Sequence, residues 1–137
     1  MWNLRFSMIL YGAIQMAEGL VMWIMPNRIY DYVGFKDFPT YMSVATNFVS
    51  YMLAVTGAAL IAGGFLFIIG SVNPAKNINA VRFAILWSAL TLAGQIYSVM
   101  KEYVTFGAIW WNLTVTAIFL IAFIIFYPWP FNRKSYR

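Results

Sequence analysis

The chain has 137 residues, 63% hydrophobic and only 9% charged, where a water-soluble domain carries roughly 25% charged residues; lipid is the solvent that such a surface suits. Its net charge of +5 comes from nine Lys and Arg against four acids, and these lie between and beyond the apolar runs, which reads as membrane topology and not as a nucleic-acid interface. With no Cys and no His, it cannot build a Cys/His zinc site, an iron–sulfur ligand set, a His-ligated haem, a disulfide or a Ser-His-Asp triad.

Met1 to Arg5 reads as a short interfacial start. Phe6 to Met25 is the first apolar run, longer than the roughly 7 to 15 residues of a signal-peptide core and without a small-x-small cleavage site at its end. It is expected to be a helix of about 20 residues, about 30 Å, which matches the hydrocarbon core of a bilayer. Pro26 ends it. The connection that follows mixes Arg28, Asp31, Lys36 and Asp37 with Tyr30, Tyr32, Phe35 and Phe38, a composition suited to the headgroup layer. Ile29, Tyr30 and Val33 could line a short surface helix there.

Asp37 or Pro39 is a reasonable start for helix 2, which is expected to run to about Ile69. Ser50, Ala54, Ala58 and Ala62 recur in it every four residues, so they are the candidate seam for close helix packing. A polar turn around Asn73, Pro74 and Lys76 separates helix 2 from helix 3, expected over 80–100, with Arg82 near enough to its start to snorkel to the surface. Lys101 to Tyr103 marks the next exit. Helix 4 is expected over 106–126, closed by Pro128 and Pro130. The fold class is thus all-α, one transmembrane domain of four helices spanning about 6–25, 39–69, 80–100 and 106–126.

Four spans put the N-terminus, the Lys76 turn and the C-terminus on one side. That side has six Lys and Arg and the other three, so the positive-inside bias puts both termini in the cytoplasm, with a prokaryotic cytoplasmic membrane as the expected location. Aromatic clusters at Tyr97, Tyr103, Phe106, Trp110 and Trp111, and at Phe126, Tyr127, Trp129 and Phe131, suit the two interfaces.

The sharpest feature is an acid where lipid should be. Glu18 lies twelve residues after Phe6, about 18 Å into the membrane. Ser7, Tyr11, Gln15, Glu18 and Met22 recur at helical spacing, so Gln15 and Glu18 should face the same way. Thr56, Thr91, Asn112 and Thr114 lie at comparable depth, with Gln95 about one turn further out, and complete a candidate intramembrane polar cluster. No cation lies at that level, so Glu18 is expected to be neutral and hydrogen-bonded unless a partner supplies one. Two readings stay open: a group that carries protons or binds a cationic substrate, or a hydrogen-bonding peg that fixes helix packing. The peg asks less of a single carboxylate. The eight Met read as adaptable filling rather than as metal ligands, and no residue set reads as catalytic. The aromatic surfaces suit lipid, a quinone or a neighbouring helix equally.

In layout the chain resembles the DoxX-like group of small four-helix membrane proteins. The residues that carry the likeness are the GAIQMAEG segment of helix 1 with Pro26 after it, the DFP of the connection, and the AVTGAALIAGGFLFIIG of helix 2. The resemblance implies a four-helix bundle and, for some members, a membrane subunit linked to a quinone-dependent oxidoreductase. The acid that such proteins often carry early in helix 2 is absent here, so no catalytic residue is carried over. The Tyr-Gly-Ala-Ile segment ahead of Glu18 is similar to small multidrug-resistance exporters, which implies a homo-oligomer with Glu18 side chains facing one cavity.

The expected function is therefore that of a non-catalytic accessory or scaffold subunit of a larger integral-membrane complex, a redox assembly being one candidate. Its partners would be membrane lipids and other membrane subunits, with no nucleic acid and no cofactor of its own beyond a bound lipid or quinone. The alternatives are a small proton-coupled transporter acting through Glu18 and a DoxX-like quinone-associated subunit.

Overall fold

A computed structural model describes residues 3–25 and 43–128. The suggested surface helix at Ile29 to Val33, the start of helix 2 at Asp37 or Pro39, and the basic tail with Arg133, Lys134 and Arg137 lie outside these residues. Within them the protein is all-helical: α1 (Leu4–Ile24), α2 (Ser43–Gly70), α3 (Ile78–Met100) and α4 (Phe106–Ile125). Each is long and apolar enough to cross a bilayer. Four such helices in one bundle suggest an integral membrane protein.

Local chemistry sets the helix ends. α1 starts two residues earlier than its apolar run because Asn3 caps it: the side-chain oxygen accepts from the Phe6 amide at 3.0 Å, and the Asn3 carbonyl accepts from the Ser7 amide at 3.0 Å and the Ser7 hydroxyl at 3.1 Å. The bond to the Phe6 amide satisfies a donor that a helix start otherwise leaves open. α2 has 28 residues, about 42 Å of helix, of which Val49–Gly70 is the membrane-compatible part. Asn73 shapes the turn into α3, its side-chain oxygen accepting from the Lys76 amide at 3.1 Å. α3 ends in a Schellman turn: the Tyr103 amide donates to the Ser98 carbonyl and the Glu102 amide to the Val99 carbonyl, both at 3.0 Å, with Glu102 at φ 58°. That left-handed position is one where glycine is favoured.

The tightest packing joins α1 and α2, and glycine makes it. A Cβ built on Gly12 would stand 2.6 Å from the Gly64 carbonyl oxygen, and one on Gly64 would stand 2.5 Å from that of Gly12. Gly19 and Gly57 repeat the arrangement, at 2.5 Å in both directions. As α1 climbs seven residues, α2 descends seven, so the helices are antiparallel. The hydrogen that each glycine carries in place of Cβ points at the opposite carbonyl, the geometry of Cα–H···O contacts between closely packed helices.

The contact between α1 and α2 does not run along the Ser50–Ala62 stripe. Ser50 and Ala54 are half-buried, but Ala58 and Ala62 are exposed, and the close approach runs through Gly57 and Gly64. Steps of four residues overshoot the helical turn by about 40° each, so a stripe begun at Ser50 has swung about 120° by Ala62. A seven-residue step drifts only about 20°.

Below, toward the end where α1 starts, α2 meets α3 and α4 finishes, all four helices send rings to one centre. Tyr11 is fully buried, with its ring centroid 5.6 Å from Phe67 of α2 and 4.9 and 5.5 Å from Phe119 and Phe123 of α4. Phe83 and Trp87 of α3 extend the cluster through Phe67 at 5.8 and 6.4 Å. Such tilted and edge-on pairs add about 0.5–1.5 kcal/mol each beyond burial. Every buried residue of α3 (Ala80, Val81, Ala84, Ser88) and of α4 (Thr116, Phe119, Ala122, Phe123) lies in this lower half.

The glycines give a graded test. Ala at Gly12, Gly19, Gly57 or Gly64 should destabilise the protein by about 1–3 kcal/mol, the range for forcing atoms into packed space. Gly63→Ala, whose Cβ would meet only the Trp87 ring at 3.6 Å, should be near neutral. Gly94→Ala, with nothing within 4 Å, should stabilise by about 0.5–1 kcal/mol. Equilibrium unfolding in detergent measures all six; equal effects across the set would contradict the register. By the same assay Glu102→Gly should raise stability by about 1 kcal/mol, since it relieves the left-handed backbone.

Candidate functional site

The site is built on α1. With Tyr11, Gln15 and Glu18 on one helical stripe and Gly12 and Gly19 pressed against α2, the polar side chains are held between the α1–α2 pair and α3. Gln15 is buried. The Trp87 indole N–H donates to Gln15 Oε1 at 3.1 Å, and Gln15 Nε2 donates to Glu18 Oε2 at 3.4 Å. The two bonds are chemically consistent. An indole nitrogen can only donate, so it takes the amide oxygen and turns the amide NH₂ toward the carboxyl.

Glu18 itself is half-buried, and no ion pair reaches it among the described residues. Below Gln15 the Tyr11 hydroxyl is buried with no partner at hydrogen-bond geometry among those residues. Ser88 of α3 lies close to it, its own hydroxyl donating to the Ala84 carbonyl at 2.8 Å.

Of the seven residues expected to form the polar cluster, the structure joins Gln15 and Glu18. Thr91, Gln95 and Asn112 are half-buried at the upper levels of α3 and α4. Gln95 Oε1 is buried and unpartnered among the described residues. Thr56 is exposed on α2, and Thr114 is exposed with its hydroxyl donating to the Trp110 carbonyl at 2.8 Å, the usual refuge of a threonine on a helix in an apolar setting. Neither faces Gln15. The residue that sequence reasoning missed is Trp87. Its signal was a lone indole on helix 3, nine residues from the helix start and so at about the depth of Gln15, with a donor that needs an acceptor wherever it is buried.

Above this level the upper halves of α3 and α4 leave every residue at least partly exposed. Tyr97, Tyr103, Phe106, Trp110 and Trp111 are exposed there. Trp110 and Trp111 stand edge to face at 5.7 Å, and the Lys101 ammonium lies 5.9 Å over the Tyr97 ring. Chemically, the site joins a carboxyl, one primary amide and an indole N–H in a single chain of hydrogen bonds. Among the described residues there is no group of three or more acidic, His or Cys side chains that could hold a metal ion.

The chain matches no family model, no curated protein and no solved structure.

Gln15→Leu and Trp87→Phe should each cost about 1 kcal/mol, the net worth of one hydrogen bond. The double variant should cost clearly less than the two together, because both remove one bond. Tyr11→Ala should cost about 3–5 kcal/mol through the cavity it leaves, while Tyr11→Phe should stay within about 1 kcal/mol. Unfolding in detergent with Trp fluorescence reads all of these; fully additive losses would mean that the Gln15–Trp87 bond carries nothing.

Proposed function

We propose that the chain is a non-catalytic scaffold subunit whose open upper half receives a transmembrane segment of a larger integral-membrane assembly. The observation that carries this reading is the contrast between the two ends. Below, four helices close on Tyr11. Above, α3 and α4 leave Thr91, Gln95 and Asn112 half-buried, with the Gln95 carbonyl oxygen buried and unpartnered among the described residues. Water cannot satisfy such groups in hydrocarbon, so each one left open costs free energy that a partner helix would recover. A helix entering there would also cover the exposed aromatic rim. The charge count supports an orientation with both termini in the cytoplasm, and the likeness in layout to DoxX-like proteins suits a redox assembly.

A photo-crosslinking amino acid at Gln95 should then join the protein to a defined membrane partner in native membranes, whereas the same group at the lower, lipid-facing Ile121 should not. A lone chain after mild-detergent purification, with no crosslink specific to Gln95, would overturn the proposal.

A second reading has one observation in its favour. Glu18 is partly accessible, and its only side-chain bond among the described residues is a long one from Gln15, an arrangement that can take up and release a proton. For a proton-coupled transporter, Glu18→Gln should abolish flux in proteoliposomes with the fold intact. For a scaffold it should leave assembly unchanged, since a Gln amide preserves the oxygen that accepts from Gln15.

A further inference from the structure

At the lower end, on the outside of the bundle, α3 and α4 leave a groove of about 520 Å³ between them, lined by Arg82, Ile85, Leu86, Ala89, Ile124 and Tyr127. It is apolar apart from its mouth. Arg82, one turn into α3, sits at that mouth, and its Nε donates to the Tyr127 hydroxyl at 3.0 Å. This bond uses one of the five guanidinium N–H donors. The other four, on the two terminal nitrogens, have no protein partner among the described residues, and no acid among those residues pairs with the charge. Tyr127 thus fixes the guanidinium plane instead of neutralising it, and a fixed fork of N–H donors is the shape that a phosphate oxygen pair matches.

Depth fits as well. Arg82 lies four residues, about 6 Å, above the start of α3, at the level where a long basic side chain reaches the headgroups. Ile85, Leu86 and Ala89 follow over the next seven residues, so the groove runs about 10 Å from the headgroup level into the hydrocarbon. Leu86 and Ile124 are 56% and 45% exposed, and the small side chain of Ala89 keeps the upper end of the groove open.

We infer that the α3–α4 groove is a binding site for an anionic phospholipid, with the phosphate on Arg82 and one acyl chain along Ile85, Leu86, Ala89 and Ile124. The site is separate from the open upper half and does not depend on what that half receives.

The test uses the full chain, delipidated in nonionic detergent and offered equimolar phosphatidylglycerol and phosphatidylcholine, with retained lipid read by native mass spectrometry. Phosphatidylglycerol should be retained about fivefold over phosphatidylcholine, the preference one basic residue near a membrane surface gives. Arg82→Gln should remove the preference and Lys76→Gln, at a basic residue off the groove, should keep it. Ala89→Phe, which fills the groove while leaving Arg82 in place, should lower retention of phosphatidylglycerol. Inorganic phosphate at millimolar concentration should displace none of it. Equal retention of the two lipids by the unaltered protein, an unchanged preference in Arg82→Gln, undiminished retention in Ala89→Phe, or displacement by inorganic phosphate would each overturn the assignment.

Discussion

Backbone touches backbone between α1 and α2, and the rest of the bundle takes its register from that contact. Apolar side chains in lipid gain nothing from leaving water, so helices must be held by close packing and by polar bonds. Four glycines supply the packing here. Gly12 facing Gly64 and Gly19 facing Gly57 bring the carbonyl oxygens to where a methyl group would collide, so the pair can slide by not even one residue without driving a side chain into the opposite backbone. Tyr11 is next to Gly12 in the chain, and Phe67 lies one turn from Gly64. Locking the glycines therefore places these two rings 5.6 Å apart, and Phe119 and Phe123 close around them.

Polar bonds supply the second hold, and they sit between the two glycine contacts on α1. Gln15 spends its oxygen on Trp87 of α3 and its amide hydrogens on Glu18 of α1. The α1–α2 pair is thereby tied to α3 at mid-depth. Below that tie the structure is closed by aromatic rings; above it the buried Gln95 side-chain oxygen of α3 lacks a partner within the described chain. The division into a self-sufficient end and an end that needs something else links the packing to the proposed role as a scaffold. Glu18 stands at the boundary between the two ends, which is why it serves both the scaffold and the transporter readings.

Much of this was legible in the residues themselves. Four helices follow from four predominantly apolar runs of bilayer length, and the α1 stripe from Ser7 to Glu18 follows from helical spacing alone. What one chain's periodicity lacks is knowledge of the opposite face. The four-residue spacing of Ser50, Ala54, Ala58 and Ala62 drifts by about 40° per step and does not point to the α1 contact, whereas Gly57 and Gly64 meet α1 because Gly12 and Gly19 have the same seven-residue interval. Thr56 and Thr114 have the right depth for the polar cluster and the wrong azimuth. Trp87 was hidden among six tryptophans, the other five of which lie near the ends of apolar runs and suit an interface. Asn3 lay in a segment read as interfacial, although an Asn ahead of an apolar run is a helix-start signal in its own right.

The measurement closest to the central claim is solid-state NMR of the protein in lipid bilayers with only glycine labelled with ¹³C. Nine glycines keep the spectrum sparse, and among the described residues only two pairs distant in sequence meet through their backbones. Cross-peaks between Gly12 and Gly64 and between Gly19 and Gly57 should appear, with none between Gly12 and Gly57 or Gly19 and Gly64. A spectrum without the first two, or with the second two in their place, would contradict the register on which the whole account rests.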